Sequence, residues 1–318
     1  MAQRRRKVSA GQVFDVLSSA RRSLRGRDER LVVRVHVDPA CPRWLALAVK
    51  AALVPERPGA VVDVRGLSLA DAAEAPDAAL VLVGGSDVRG LAEAYARAGV
   101  AVGLVAEGAL DVPELSLAEG ARELVGVVAA SSAEALSDKL AAWLADAVGE
   151  KDLALAANFA FCRRAVVGAL VERCALENAA IGAVSLIPGS DFPLMCVNQA
   201  KLALDVAAAF GQDVEPTRAL ELAGVVGAGL GYRALARTLV GLVPGLGLVL
   251  KAGIGYGGTL ATGRALCARF ELAGRSAGEG HAPKAASPVA RDRSVLLASG
   301  GAASDGADDY VTIGGGAA

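Results

Sequence analysis

Five short runs of β-branched and aliphatic residues, separated by stretches of helical length, set the fold class of the first half of this chain. The runs are 31–37, 61–65, 79–83, 100–105 and 124–128, each bounded by Gly, Pro or Asp. Between them, residues 44–53, 88–98 and 133–148 have the apolar spacing of amphipathic helices. The last of these has Ser131 or Ser132 as N-cap and Glu134 in its first turn. Strands joined by helix-length connections pair in parallel, because a parallel neighbour is reached only through a crossover. Residues 31–149 are therefore expected to form a doubly wound, Rossmannoid α/β domain.

After Gly149 the strand pattern stops. Residues 152–176, 194–210, 217–242 and 246–270 read as helices, which predicts an all-α apolar domain over 150–273. Hydrophobic residues make up 53% of the 318-residue chain, aromatics only 4%, and there are 38 glycines. An apolar content so small and aliphatic suits close helix-on-helix packing rather than large aromatic pockets. Beyond Ala273 the chain is Gly, Ala, Ser, Asp and Pro with few large apolar groups, so 274–318 reads as a disordered tail, with 308–313 as an alternative docking strand.

Residues 1–30 form a basic arm carrying Arg4, Arg5, Arg6, Lys7, Arg21, Arg22, Arg25, Arg27 and Arg30, although the net charge is only -1. Such an arm stays solvated, lies on anionic lipid or binds nucleic acid; the lack of interleaved aromatics ranks lipid above nucleic acid, which is not expected as a partner. No apolar run after Lys7 marks a signal peptide. The five Cys (Cys41, Cys162, Cys174, Cys196, Cys267) show no CxxC pair, so neither zinc nor a disulfide framework is supported and a reducing compartment fits. His36 and His281 read as core or solvated groups rather than a dyad.

A phosphate-binding loop should come directly after the first strand, with backbone amides around the phosphates, a Lys on them and a Ser or Thr on magnesium. That position is occupied by Asp38-Pro39-Ala40-Cys41-Pro42-Arg43-Trp44-Leu45, in which two prolines remove amide donors and Asp38 has the wrong charge. The glycine clusters 84–90 and 224–231 lack, respectively, the Lys-Ser ending and a preceding strand. The chain thus offers no catalytic constellation, no metal site and no cofactor. The alternative is nucleotide binding by an unfamiliar loop, with Asp38, Asp63 and Asp87 at strand ends as magnesium candidates.

The order of elements over roughly 31–148 nevertheless resembles the G domain of small GTPases. Val62-Asp63-Val64-Arg65-Gly66 resembles that family's DxxG, Asp111 lies where its guanine-reading NKxD motif ends, and Ala129-Ala130-Ser131 is distantly similar to its SAK-type loop. Gly108 and Ala109 stand where Asn and Lys are expected. The resemblance implies a pseudo-GTPase domain in which Asp63, Gly66 and Asp111 are positional remnants and GTP binding stays open.

In the helical half, Pro188-Gly189 and Pro244-Gly245 each interrupt an apolar run, which makes a hairpin of two helices rather than one long span. Asp191 can cap the helix after the first turn. On that helix Asn198, Lys201 and Asp205 share a polar stripe, whereas Gln199 lies on the apolar face. Gln199 then bonds between helices or meets a ligand or partner. Gly227 and Gly231, Gly241 and Gly245, and Gly253 and Gly257 are spaced for close backbone approach. The run 239–261 has the length of a membrane span but contains Pro244 and Lys251; a hairpin in one leaflet or a buried helix pair would use the same residues.

Residues 152–272 resemble the domain of unknown function that trails certain GTPase domains and forms the C-terminal part of YcjF-type inner-membrane proteins. The likeness rests on Pro188, Gly189 and Asp191, the helix with Gln199 ending at Phe210-Gly211, and 242–247 with 261–265 beyond it. It implies membrane association and partnership with GTPase-like domains, with no catalytic residues. The expectation is a non-catalytic scaffold or regulator at the cytoplasmic membrane, its α/β domain in the cytoplasm and its partners lipid and a protein or a second copy. A GTP-binding protein and a wholly cytoplasmic oligomeric module are the alternatives.

Overall fold

The five strands lie within a residue or two of their expected limits: β1 Leu31–Val37, β2 Ala60–Arg65, β3 Ala78–Leu82, β4 Ala101–Ala106 and β5 Val125–Ala129. This computed structural model describes residues 10–73, 75–184, 192–213 and 247–279. All strand pairs are parallel, in the order β2-β1-β3-β4-β5. Helices α2 (Arg43–Ala52) and α5 (Ala133–Ala147) cover one face, and α3 (Arg89–Arg97), α4 (Glu119–Arg122) and the 3₁₀ turn Leu69–Ala73 cover the other. This is a doubly wound α/β sheet. Ser132 caps α5 by accepting from the Ala135 amide.

Two paired glycines, Gly103 on β4 and Gly126 on β5, leave a slot for the indole of Trp143 on α5. A Cβ on Gly126 would come within 1.9 Å of the ring nitrogen, so this edge of the sheet accepts the tryptophan only because both side chains are absent.

The helical half departs from expectation at its first element. Instead of one helix over 152–176, α6 (Asp152–Asn158) stops, Phe159 turns to extended geometry and a 3₁₀ turn leads into α7 (Arg163–Val184). No Gly or Pro marks this break; the gain is full burial of Phe159 and Cys162. Next come α8 (Phe192–Ala209) and α9 (Gly247–Glu279), the latter running past Ala273.

The second part of the basic arm is a helix, α1 (Ala10–Arg27), seated on α8. Ser23 bonds Asp205 at 2.5 Å, and Arg27 reaches the Gln212 carbonyl and Asp213. Asp205 therefore does not share a solvated stripe with Lys201: it is buried in the α1 seam while Lys201 stays exposed. Contacts fix the helix directions. Asn178 meets Thr259, Val171 meets Gly263 and Arg163 meets Phe210, so α7 runs antiparallel to α8 and α9. Ser23 with Asp205 and Arg27 with Gln212 make α1 parallel to α8. The far end of the bundle thus carries the N-termini of α1, α8 and α9 and the C-terminus of α7.

The near end lies beneath the N-terminal edge of the sheet. Lys151 reaches the Arg30 carbonyl at 2.9 Å and Asp77 at 2.7 Å, and the Glu56 amide donates to the Asn158 carbonyl. Leu31 of β1, Leu155, Val166, Leu202 and Leu266 belong to one continuous buried cluster, so the two composition regimes share a core.

Pro188, Gly189, Asp191, Pro244, Gly245, the first two glycine pairs and 280–318 lie outside the described residues. Among the described residues no helix is long and apolar enough to cross a membrane. Gly253 and Gly257 are exposed on α9, with no described atom within 4 Å of an added Cβ. The close approach lies two turns on, where a Cβ on Gly263 would fall 2.4 Å from Val171 of α7. One substitution on one helix should therefore change sign with position. Gly263→Ala is expected to destabilise by about 1–3 kcal/mol through overpacking, whereas Gly253→Ala and Gly257→Ala gain up to about 1 kcal/mol of helix propensity. Urea denaturation of the three variants checks this.

Candidate functional site

In open α/β sheets the ligand crevice lies beyond the carboxyl ends of the strands, where winding reverses. Here that point is between β1 and β3. The loops after β1 and β3 meet there, and the carboxylate of Asp38, 1% exposed, fills the space between them. One of its oxygens accepts from the Ala40 amide at 2.9 Å and the Ser86 hydroxyl at 2.8 Å; the other accepts from the amides of Gly84 at 3.0 Å and Ser86 at 2.8 Å.

Local chemistry explains the geometry. Pro39 fixes the chain direction as β1 ends, and the Ala40 and Cys41 amides turn back onto Asp38. Gly84 is required because a Cβ there would fall 2.1 Å from the Cys41 nitrogen, so the two loops interlock backbone to backbone. Trp44 of α2 closes the top by donating to Glu107 beyond β4. Burial alone would raise the Asp38 carboxyl, but the surrounding amides and the Ser86 hydroxyl outweigh it and hold it below its ordinary value. Convergent backbone amides are the usual cradle of a phosphate. In this crevice they hold the chain's own anion.

The same face of β1 carries Arg34 and His36. The His36 Nδ1–H donates to the Gly66 carbonyl at 2.7 Å, and Nε2 lies 2.8 Å from the Tyr95 hydroxyl, which also reaches the Asp71 carbonyl at 3.3 Å. Burial pushes its pKa down. Arg34 pairs with Asp63 at 2.9 Å and bonds the Asp71 carbonyl at 2.6 Å, while Arg65 pairs with both Asp63 and Asp71. Two cations balance two carboxylates around a neutral imidazole. Asp63 and Gly66 thus belong to a network that holds the 66–73 loop over the sheet.

Asp111 stands apart on an exposed 3₁₀ turn, where it caps the Gly108 amide at 2.9 Å, and Asp87 pairs with Arg89 at the surface. Asp38, Asp63 and Asp87 therefore do not converge as magnesium ligands, and no metal-holding group of three His, Cys, Asp or Glu occurs among the described residues. Gln199 is buried between helices: its Nε2 donates to Thr259 Oγ1 at 2.7 Å, and its Oε1 has no partner among the described residues. Asn178 bonds the same hydroxyl at 3.0 Å. Burial raises the Cys174 thiol to about 12 and Cys162 further, which makes both poor nucleophiles.

Sequence reasoning weighed Asp38 as an obstacle or a metal ligand and missed its role as internal anion, along with Arg34, His36 and Tyr95. One signal was present: the central strand reads Val33-Arg34-Val35-His36-Val37-Asp38, polar at every second position where a parallel strand covered on both faces is normally apolar throughout. The His36 network predicts a pH response of definite sign. Below the unfolded value near 6.5 the unfolded chain takes a proton that the folded chain refuses. The His36 contribution is therefore complete above that pH and is lost as pH falls, with a slope of up to about 1.4 kcal/mol per pH unit. Urea denaturation between neutral pH and pH about 5 should show this slope in the native chain and its loss in His36→Gln, while an equal slope in both would contradict it. Compared with known proteins, the chain matches no family model, no curated sequence and no solved structure.

Proposed function

We propose that this chain is a non-catalytic, membrane-associated scaffold or regulatory protein whose α/β unit is a pseudo-GTPase-like domain sealed at its nucleotide position. The observation that carries the reading is the Asp38 carboxylate, which takes up the amides that a phosphate would need and places a negative charge where a phosphate would sit. Each carboxylate with a claim to magnesium is engaged elsewhere. The likeness of the helical half to YcjF-type domains supports membrane association and a protein partner. The described part of α9 buries Thr259 and Leu266 within the protein, which favours a second reading in which the helices serve a soluble oligomeric module.

Calorimetric titration with GTP, GDP or ATP and magnesium should give no binding heat; micromolar affinity for any of them would overturn the sealed-site reading. Asp38→Ala frees the Ala40, Gly84 and Ser86 amides. This variant, less stable at rest, is expected to be stabilised by phosphate at about 10 mM, whereas the native chain is not.

A further inference from the structure

Helix α1 is two-faced. Ser23 and Arg27 point inward and are almost wholly buried, bonded to Asp205, Asp28, Gln212 and Asp213. Arg21, Arg22 and Arg25 point outward, exposed, and make no ion pair with a described residue. Asp28, the acidic residue nearest to Arg25 in the chain, is already held by Arg27 and Arg57. An arginine patch with no ion-pair partner among the described residues is thus fixed on this flank by the buried seam beneath it.

The helix direction places the patch. Because α1 runs parallel to α8, residue 10 lies toward the far end of the bundle, roughly 22 Å from Arg25 at 1.5 Å per residue. From the same end α8 begins, with Leu194 exposed. Three exposed arginines on one flank, with an exposed apolar side chain at the far end of the same bundle, fit a plane of anionic headgroups. A nucleic-acid surface fits less well. Residues 18–27 offer no aromatic ring for base stacking, and α1 lies flush on α8 rather than projecting as a groove-reading helix would.

We propose that the outer face of α1, through Arg21, Arg22 and Arg25, docks the protein flat against an anionic bilayer. This rests on the membrane-associated reading above and specifies the surface and the lipid chemistry. At about 1 kcal/mol per arginine near a charged surface, each contributes about fivefold in affinity and the three together on the order of a hundredfold.

The test is flotation of the full chain with phosphatidylcholine vesicles and with phosphatidylcholine–phosphatidylglycerol vesicles, beside the triple variant R21Q/R22Q/R25Q, whose thermal midpoint should match the native one because none of these side chains is buried. The native chain should float with the anionic vesicles at about 0.1 M salt and be released as salt rises, and the variant should lose roughly a hundredfold in affinity. Equal flotation on both vesicle types, unaffected by the substitutions, would overturn the arginine surface while leaving membrane association standing. Flotation on neither would remove both. Arginine-dependent binding to duplex DNA without vesicle binding would assign the face to nucleic acid instead.

Discussion

A carboxylate taken out of water is tolerable only when its lone pairs meet donors, since an unpaired buried charge costs several kcal/mol. Asp38 meets this condition with three backbone amides and a hydroxyl drawn from two loops, and much of the upper sheet depends on it. The loops after β1 and β3 are tied together; Gly84 has to be glycine; the crevice that a doubly wound sheet normally keeps for a ligand is filled from within. Arg34 and His36, on the same face of the same strand, extend the device downward, so that this side of β1 is a continuous polar seam in which every charge is answered.

The second constraint is the shared core. α8 is buried along nearly its whole second half, from Leu202 to Ala209, between α1, α6, α7 and α9. Val206 and Leu202 belong to the same cluster as Leu31 of the sheet. At roughly 25 cal/mol per Å² of apolar surface, withdrawing these helices into lipid as a unit would expose apolar groups at the N-terminal edge of the sheet that share their cluster, Leu31 among them. Contact with a membrane or a partner then has to use faces that the fold leaves outside, and the arginine side of α1 is one such face.

The parts that were legible in the sequence are local ones. β-branched runs bounded by Gly, Pro and Asp located all five strands, and Ser132 announced the start of α5, because each signal sits within a few residues of what it specifies. The parts that were not legible depend on segments far apart in the chain. Nothing near Asp38 says that Gly84 and Ser86 will face it, and nothing near Asp205 says that Ser23 will cover it. The break at Phe159 has no Gly or Pro because it is driven by burial of the aromatic ring. Glycine spacing is a further case. Gly253 and Gly257 have the regular interval yet face open space among the described residues, while Gly263, outside any such pair, sits against Val171. Spacing fixes the face of a helix but not its neighbour.

The central claim is that the crevice amides are committed to Asp38 rather than waiting for a ligand. Native-state hydrogen exchange of the ligand-free chain tests it directly. The Gly84 and Ser86 amides should exchange slowly in the native protein and become fast in Asp38→Ala, with the amides of β3 and β4 unchanged, because both donate to the same carboxylate oxygen, which that substitution removes. Rapid exchange at both positions in the native chain, or protection unaltered by the substitution, would contradict the account and make the crevice an open site again.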